Sequence, residues 1–408
     1  MNVIKNKFQV ENKKIVIFGA GKIGRSFIGQ LFGSSGYKIV FIDVDQDIIK
    51  GLNEKGNYRV IIKGDPITEI IVTNVQAIYA FDKQKVVEAI STAGILAVSV
   101  GKNALDKVIP VIAEGLQIRY NMTPETPLDI IIAENMREAG NFIKTKLTGY
   151  LPLDYPLSKL VGFVETSIGK MVPIMTFADL EKDPLMVFAE PYNTLIVDGK
   201  GFKSPIPEVI GLAAKENIKA WVDRKAFIHN LGHATAAYFG LFKHPNATYI
   251  YEIIEDKEVL RFTRETMQQA AALLQVMYPR DFSLNDLDAH IDDLLFRFRN
   301  KALKDTIFRV GHDLVRKLSS EDRFIGAIHL AIKVKMPYDK ILKSCSYGFI
   351  FNSNDEDGNN FLPDKAFIES LEIDFESSMV NILGLNPISD LSIINDLKLL
   401  YENISPNQ

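Results

Sequence analysis

Four segments follow one another inside the first 43 residues, and their order admits few folds. Lys14-Ile-Val-Ile-Phe18 reads as a buried parallel strand. Gly19-Ala-Gly21-Lys-Ile-Gly24 comes at once, then Arg25-Ser-Phe-Ile-Gly-Gln-Leu-Phe32 with apolar residues at helical spacing. A second strand, Tyr37-Lys-Ile-Val-Phe-Ile42, ends in Asp43. Strand, glycine loop, helix and strand form a βαβ unit with the dinucleotide fingerprint in its proper setting. Glycines let the backbone approach a pyrophosphate, and a helix N-terminus favours its charge. Asp43 lies 24 residues after Gly19, where a ribose-binding acid belongs. A carboxylate there accepts from ribose hydroxyls and repels a 2′-phosphate, so NAD is expected over NADP. Phe18, Gly19, Ala20, Gly21, Lys22, Ile23, Gly24 and Asp43 are the expected cofactor contacts. Asp45 is the rival acid, but it stands beyond the strand end and reads as a solvated loop residue.

The rest of the chain agrees with such a unit. At 408 residues, with 47% hydrophobic content, the chain has material for two or three domains. A net charge of −4 gives no reason to expect nucleic acid or an anionic membrane as partner. The single cysteine, Cys345, leaves no intrachain disulfide and fits a reducing cytoplasm. Residues 1–13 lack the apolar core of a signal peptide, and no apolar run is long enough to span a bilayer.

Strands and helices alternate through the first half. Ile67–Thr73, Gly94–Val100 and Leu128–Ala133 read as strands, with a helical pattern over Asp106–Ala113. Ligands of open α/β sheets bind beyond the carboxyl ends of strands. Val100, Gly101 and Asn135 are therefore candidates to line a cleft, although ordinary turn chemistry explains them equally well. Val161–Glu165 and Asn193–Asp198 suit strands that extend the sheet. After Pro205 long amphipathic stretches take over, at Lys257–Met277, Leu284–Phe298 and Asp322–Lys335. The expected division is an α/β dinucleotide-binding domain over 1–200 and a mostly α-helical substrate and catalytic domain over 201–408, with the active site where the halves meet.

Chemistry for that second half is offered by Asp223-Arg-Lys-Ala-Phe-Ile-His-Asn-Leu-Gly-His233. On an α-helix, Asn230 lies about 140° and His233 about 80° round from Lys225, so all three can face one cleft. An amine base, an amide donor and an imidazole are what alcohol oxidation without a metal needs. The base takes the hydroxyl proton as hydride leaves the same carbon. Burial and a cationic nicotinamide would lower the lysine into a useful range. Amides of Asn230 and Asn135 would hold the oxygen as charge develops. His233 would bond the substrate or fix the lysine. Spacing alone favours a surface lysine, a helix-face asparagine and a core histidine; the dinucleotide unit, together with the family resemblance described next, reverses that. His229 reads as structural. His229 and His233 form an i, i+4 pair, but Asn230 stands where a zinc-protease motif carries glutamate, and no metal is expected.

The chain resembles the polyol-specific long-chain dehydrogenases over nearly all of its length. The resemblance rests on Phe18-Gly-Ala-Gly-Lys-Ile-Gly24, Ala133-Glu-Asn-Met136, Gly162-Phe-Val-Glu165, Asp183-Pro-Leu185, Arg224–Tyr238, Arg309-Val-Gly311 and Arg316–Arg323. It implies a Rossmann-type N-terminal domain, a helical C-terminal domain and no catalytic metal. It implies Lys225 as general base, accompanied by Asn230 and His233, with Asn135 facing the reacting oxygen. The implied activity is reversible oxidation of a sugar alcohol or its phosphate with NAD. Mannitol 1-phosphate going to fructose 6-phosphate is the first expectation. A hexuronate reductase of the same family and a non-enzymatic NAD-binding regulatory protein are the alternatives.

Several positions depart from the family pattern. Gly169-Lys170 stands where relatives carry Asp-Arg, so a charge is kept but the planar fork is lost. Lys22 and Ser26 replace asparagine and glycine, His312 an arginine, and Lys301 a proline. A phosphate would need cations; Arg309, His312, Arg316 and Lys317 are the candidates. Arg309 and Arg316, two helical turns apart, can share a face. They are equally a solvated basic patch, and a uronate carboxylate would use the same groups.

Overall fold

The computed structural model describes residues 9–173 and 175–405. The first eight residues, part of the segment read for a signal peptide, lie outside that range. The chain forms two compact units, Met1–Val222 and Asp223–Gln408.

Eleven strands belong to the first unit. They are β1 (Glu11–Phe18), β2 (Lys38–Asp43), β3 (Asn57–Ile62), β4 (Thr68–Thr73), β5 (Val75–Tyr79), β6 (Ala93–Val98), β7 (Leu128–Ile132), β8 (Val161–Ser167), β9 (Val187–Ala189), β10 (Leu195–Asp198) and β11 (Leu212–Lys215). Eight form one sheet in the order β11-β10-β8-β7-β6-β1-β2-β5. The pairs from β5 to β8 are all parallel; β10 runs antiparallel to β8 and parallel to β11. Alternation explains why these strands read as unbroken apolar runs. Ile15, Ile17, Ile39, Phe41, Ala97 and Ile131 enter one core. Val16, Phe18, Val40, Ile42, Leu96, Val98, Ile130 and Ile132 enter the core on the opposite face. A sheet buried on both sides has no polar side to alternate with.

Register then places the strand ends. Ile42, Phe18, Val98, Ile132 and Glu165 form one row across five parallel strands. Asp43, Gly19, Ser99 and Ala133 therefore leave the sheet side by side. The chain turns from one side of the sheet to the other between β1 and β6, the switch point where open α/β sheets bind ligands.

Two strands depart from the sequence reading. The strand expected at Ile67–Thr73 is present as β4, but it lies in a separate three-stranded sheet, β4-β3-β9, outside the main one. Leu212–Lys215, inside the stretch expected to be helical, is a strand paired with β10. Its Leu-Ala-Ala-Lys sequence has no strong strand preference, and pairing at a sheet edge decides it. The sheet thus runs past residue 200, and the contacts divide the chain at Val222.

The second unit is built from helices. Its first helical segments are Lys225–Asn230 and Leu231–Lys243. The Lys257–Met277 helix is capped by Asp256, whose carboxylate accepts from the amides of Glu258 and Val259. It buries Val259, Phe262, Met267, Ala270, Leu273 and Leu274 along one stripe. A Cβ on Gly232 would come within 2.5 Å of Met267 Sδ, so the two helices pack at the distance glycine permits. Ser283 and Asp286 form a capping box that starts Leu284–Phe298. No helix among the described residues is long and apolar enough to cross a membrane.

Candidate active site

In the first unit the glycine loop is shaped by contacts that exclude side chains. Gly19 has φ of +97°, and a Cβ on Gly24 would stand 1.9 Å from Gly19 O. Gly21 has nothing within 4 Å of the place a Cβ would take, so its backbone is open to a ligand. The helix that follows is not α from its start. Gly24–Gly29 winds as a π-helix before Gln30–Ser34 continues as α. The sequence reading assumed α spacing here. Gly24 and Gly29 are five apart, and each lacks a Cβ that would strike a neighbour. Tyr58 donates its hydroxyl to Arg25 O at 2.7 Å within that turn.

Asp43 holds the loop from the next strand end. Its Oδ2 accepts from Ala20 N at 2.5 Å, and Oδ1 from Val44 N and Asp45 N at 2.7 and 3.0 Å. Asp45 instead caps the following helix, accepting from Asp47 N and Ile48 N. Lys22 is exposed. Arg25, which the sequence reading passed over, is buried and joins two motifs. Its Nε donates to Ala20 O and its Nη1 to Leu185 O, both at 2.6 Å. Asp183-Pro-Leu185 thus fixes the glycine loop from outside the βαβ unit.

Beyond β6 and β7, Gly101 has φ of +82° and its amide donates to buried Glu134 at 2.9 Å. Burial raises the Glu134 carboxyl, against the pull of the Gly101 and Val100 amides. Asn135 follows Glu134 and is exposed. Val100, Gly101 and Asn135 therefore belong to one tied pair of loops. Lys170, in place of the expected arginine, is buried; its Nζ donates to Asn193 Oδ1 at 2.7 Å and lies 4.9 Å from the centre of the Phe27 ring.

In the second unit Lys225 opens a π-helical turn that Asn230 closes. This corrects the angular estimate. With i→i+5 bonding there are about 4.4 residues per turn, so Asn230 lies about 50° round from Lys225 instead of about 140°. Single π turns inside α-helices are frequent at functional sites; both of those described here lie on the two motifs singled out. Burial pushes the Lys225 amine down to about 8; Arg323 and Arg316 lower it and Asp322 raises it. Arg323 donates to Asp322 Oδ1 at 2.9 Å and to Asn230 O at 3.2 Å. Arg316 pairs with Asp313 and reaches Asp322 at 3.4 Å.

His233 stacks on Phe298, with ring centres 4.4 Å apart and planes 8° off parallel. Its Nε2 is 3.3 Å from Asp305 Oδ2. Arg309 holds the other oxygen of Asp305 from Nε at 2.6 Å and Nη2 at 2.5 Å. Burial keeps His233 below the ordinary imidazole range, with Asp305 opposing. His229 is buried and held well below that range, chiefly by desolvation.

Arg309 and Arg316 do not share a helix face. Ile307–Gly311 ends at His312, Asp313 takes a left-handed conformation, and Leu314–Lys317 starts anew. Asp364 accepts from the amides of Asp313 and Leu314 and fixes this break. His312 turns onto its own helix, bonding Phe308 O at 2.9 Å and stacking on the Phe308 ring. Lys317 is buried, donates to Val310 O at 2.6 Å and is pushed down to about 7 by desolvation, then by Arg323 and Arg316. Two networks result: His233, Asp305 and Arg309; and Asn230, Arg323, Asp322 and Arg316. Asp305 was missed, although its position four residues before Arg309 is a helical ion-pair spacing that could have shown it. Among the described residues no group of three His, Cys, Asp or Glu side chains forms a metal-ligand set.

Residues 13–211 match the family model for the mannitol dehydrogenase Rossmann domain, and residues 217–380 that for the mannitol dehydrogenase C-terminal domain. The chain is 30% identical over 403 residues to mannitol-1-phosphate 5-dehydrogenase of Buchnera aphidicola subsp. Acyrthosiphon pisum, covering 96% of this chain and 100% of that one. Identity to the enzyme of the same name from Streptococcus mutans is 33% over 348 residues, covering 84% and 89%. A substrate-free D-sorbitol dehydrogenase superposes with a TM-score of 0.78 at 15% identity, covering 98% of this chain and 94% of that one. Pseudomonas fluorescens mannitol 2-dehydrogenase, solved with NAD and D-mannitol, gives 0.73 at 13% identity, covering 99% and 93%. These two likenesses speak for the fold.

Proposed function

The chain belongs to the mannitol dehydrogenase family, and from that premise we propose that it is an NAD-dependent polyol-phosphate dehydrogenase. It oxidises mannitol 1-phosphate to fructose 6-phosphate and runs in reverse. The reaction type is carried by Lys225, an amine lowered to about 8 in a π turn that ends at Asn230. The phosphate is supported by the full-length relatives named mannitol-1-phosphate 5-dehydrogenase.

The glycine loop fits a dinucleotide. Gly21 leaves room where a Cβ would be, and Asp43 stands at the second strand end with its carboxylate fixed by three amides. Phe18–Gly24, Asp43, Val100 and Gly101 would hold NAD, which when bound supplies the hydride acceptor. Lys225 removes the hydroxyl proton at Nζ, and the amides of Asn230 and Asn135 donate to the oxygen as it gains charge. His233 bonds a substrate hydroxyl. Arg309, His312 and Arg316 are the cations proposed for the phosphate. Arg309 and Arg316 already bond acids, so the phosphate would share them with Asp305 and Asp313. A reducing cytoplasm suits the lone, buried Cys345.

Asp43→Ala is expected to weaken NAD binding by about tenfold or more, given the ~1.5–3 kcal/mol of a hydrogen bond to a charged group. It should also relax discrimination against NADP. Fluorescence titration with both cofactors measures this. Unchanged selectivity would move the ribose role to another residue, and Asp45 would have to leave its cap to take it.

Following NADH absorbance with fructose 6-phosphate, fructose and tagaturonate side by side tests the substrate. Turnover with fructose 6-phosphate far above the other two is the expected result. Preference for tagaturonate would select the hexuronate reductase reading, and NADH binding without turnover of any of the three would sink the enzymatic one.

A further inference from the structure

His233 Nε2 and Asp305 Oδ2 are fully buried, lie 3.3 Å apart, and have no hydrogen-bond partner elsewhere among the described residues. Each is therefore the polar group left to satisfy the other. The surrounding structure holds both in place. Phe298 fixes the plane of the imidazole by stacking. Arg309 grips Asp305 Oδ1 through two nitrogens, and the Asp305 carbonyl accepts from Ile250 N at 2.9 Å. Thr306, the next residue, caps the helix that carries Arg309.

The proton inventory follows from this geometry. Burial pushes the Asp305 carboxyl up, but His233 and Arg309 outweigh it and hold it below the usual range. An ionised carboxylate has no hydrogen to give, so the imidazole nitrogen must donate. The ring is neutral at pH 7, because desolvation lowers it. Its one hydrogen is then on Nε2, and Nδ1 keeps a lone pair. Which ring nitrogen is protonated is set by the bond the other makes.

We propose that Asp305 is a positioning residue that fixes His233 as the Nε2–H tautomer, leaving Nδ1 to accept a hydrogen bond from a hydroxyl of the polyol. The proposal rests on the reading of His233 as a substrate contact. It makes the ring a selector for a hydroxyl donor at that point of the substrate, and it makes Arg309 an anchor for Asp305 before it is a cation for any phosphate.

Histidine-selective 15N NMR of the whole enzyme reads the tautomer directly, with His233→Gln identifying the resonances. Wild type is expected as Nε2–H. In Asp305→Asn the amide can donate as well as accept, so the tautomer should shift or become mixed. The kcat should fall on the order of 10²-fold, the scale of a misplaced reacting group, with the KM for NADH unchanged. An Nδ1–H tautomer in the wild type overturns the proposal, and that spectrum decides alone should Asp305→Asn not fold. An unchanged tautomer in Asp305→Asn overturns it too. A shifted tautomer with unchanged kcat overturns the substrate contact at His233, and leaves the base assignment to be judged separately by the loss of turnover in Lys225→Ala.

Discussion

Lys225→Ala is expected to cut turnover by on the order of 10²–10⁴-fold, the contribution of a positioned general base, and to leave NADH affinity unchanged. The two halves of this expectation have different sources. Loss of turnover follows from removing the amine that takes the hydroxyl proton, at a position where burial has already lowered it to about 8. Intact NADH binding follows from the cofactor residues proposed above, Phe18–Gly24, Asp43, Val100 and Gly101, none of which is in the unit that carries Lys225. Steady-state rates with fructose 6-phosphate and NADH, beside an NADH titration, separate the two. A mutant with near-full rate would show that another group is the base. Lys317, lowered to about 7, would be the next to test, although its donation to Val310 O gives it a structural task. Loss of NADH binding along with turnover would point to a folding defect.

The parts that were legible in the sequence are those whose signal is local. The βαβ unit is visible because strand, glycine loop and strand-end acid each have their own pattern, and Asp43 does bond to the loop at Ala20. The amphipathic stretches at Lys257–Met277 and Leu284–Phe298 are helices with those bounds. What escaped depends on contacts remote in sequence. Arg25 matters because Leu185 offers its carbonyl, 160 residues away. The β4 strand leaves the main sheet because β3 pairs with it and β9 completes that pair. The π turns escaped for a different reason. Apolar periodicity does not distinguish i→i+4 from i→i+5 bonding over a single turn, so Lys225 and Asn230 could be named but their angle could not. The basic segment misled because Arg309 and Arg316 have helical spacing, while the left-handed Asp313 between them breaks the helix.

The two directions of the reaction should show opposite pH profiles with a common midpoint near Lys225. Oxidation needs the neutral amine. With the pKa lowered to about 8, kcat/KM for the polyol phosphate should rise about tenfold per pH unit below that value and level off above it. Reduction needs the ammonium as proton donor, so its kcat/KM should be level below about 8 and fall above it. The charges acting on the amine are Arg323 and Arg316, which lower it, and Asp322, which raises it. His229 lies in the same turn but is held well below its ordinary range and stays neutral throughout. His233 is held below the ordinary imidazole range also, by burial and against the pull of Asp305. Asp322→Asn removes a carboxylate that supports the charged amine, so both midpoints should move to lower pH. That shift also separates Lys225 from Lys317, whose charge is supported by Asp313 and Asp364 instead. Profiles that are flat between about pH 6 and 9, or that run in the same sense in both directions, would remove Lys225 as the proton-transfer group. Midpoints that stay in place in Asp322→Asn would assign the titration to a group outside the Arg323, Asp322 and Arg316 network.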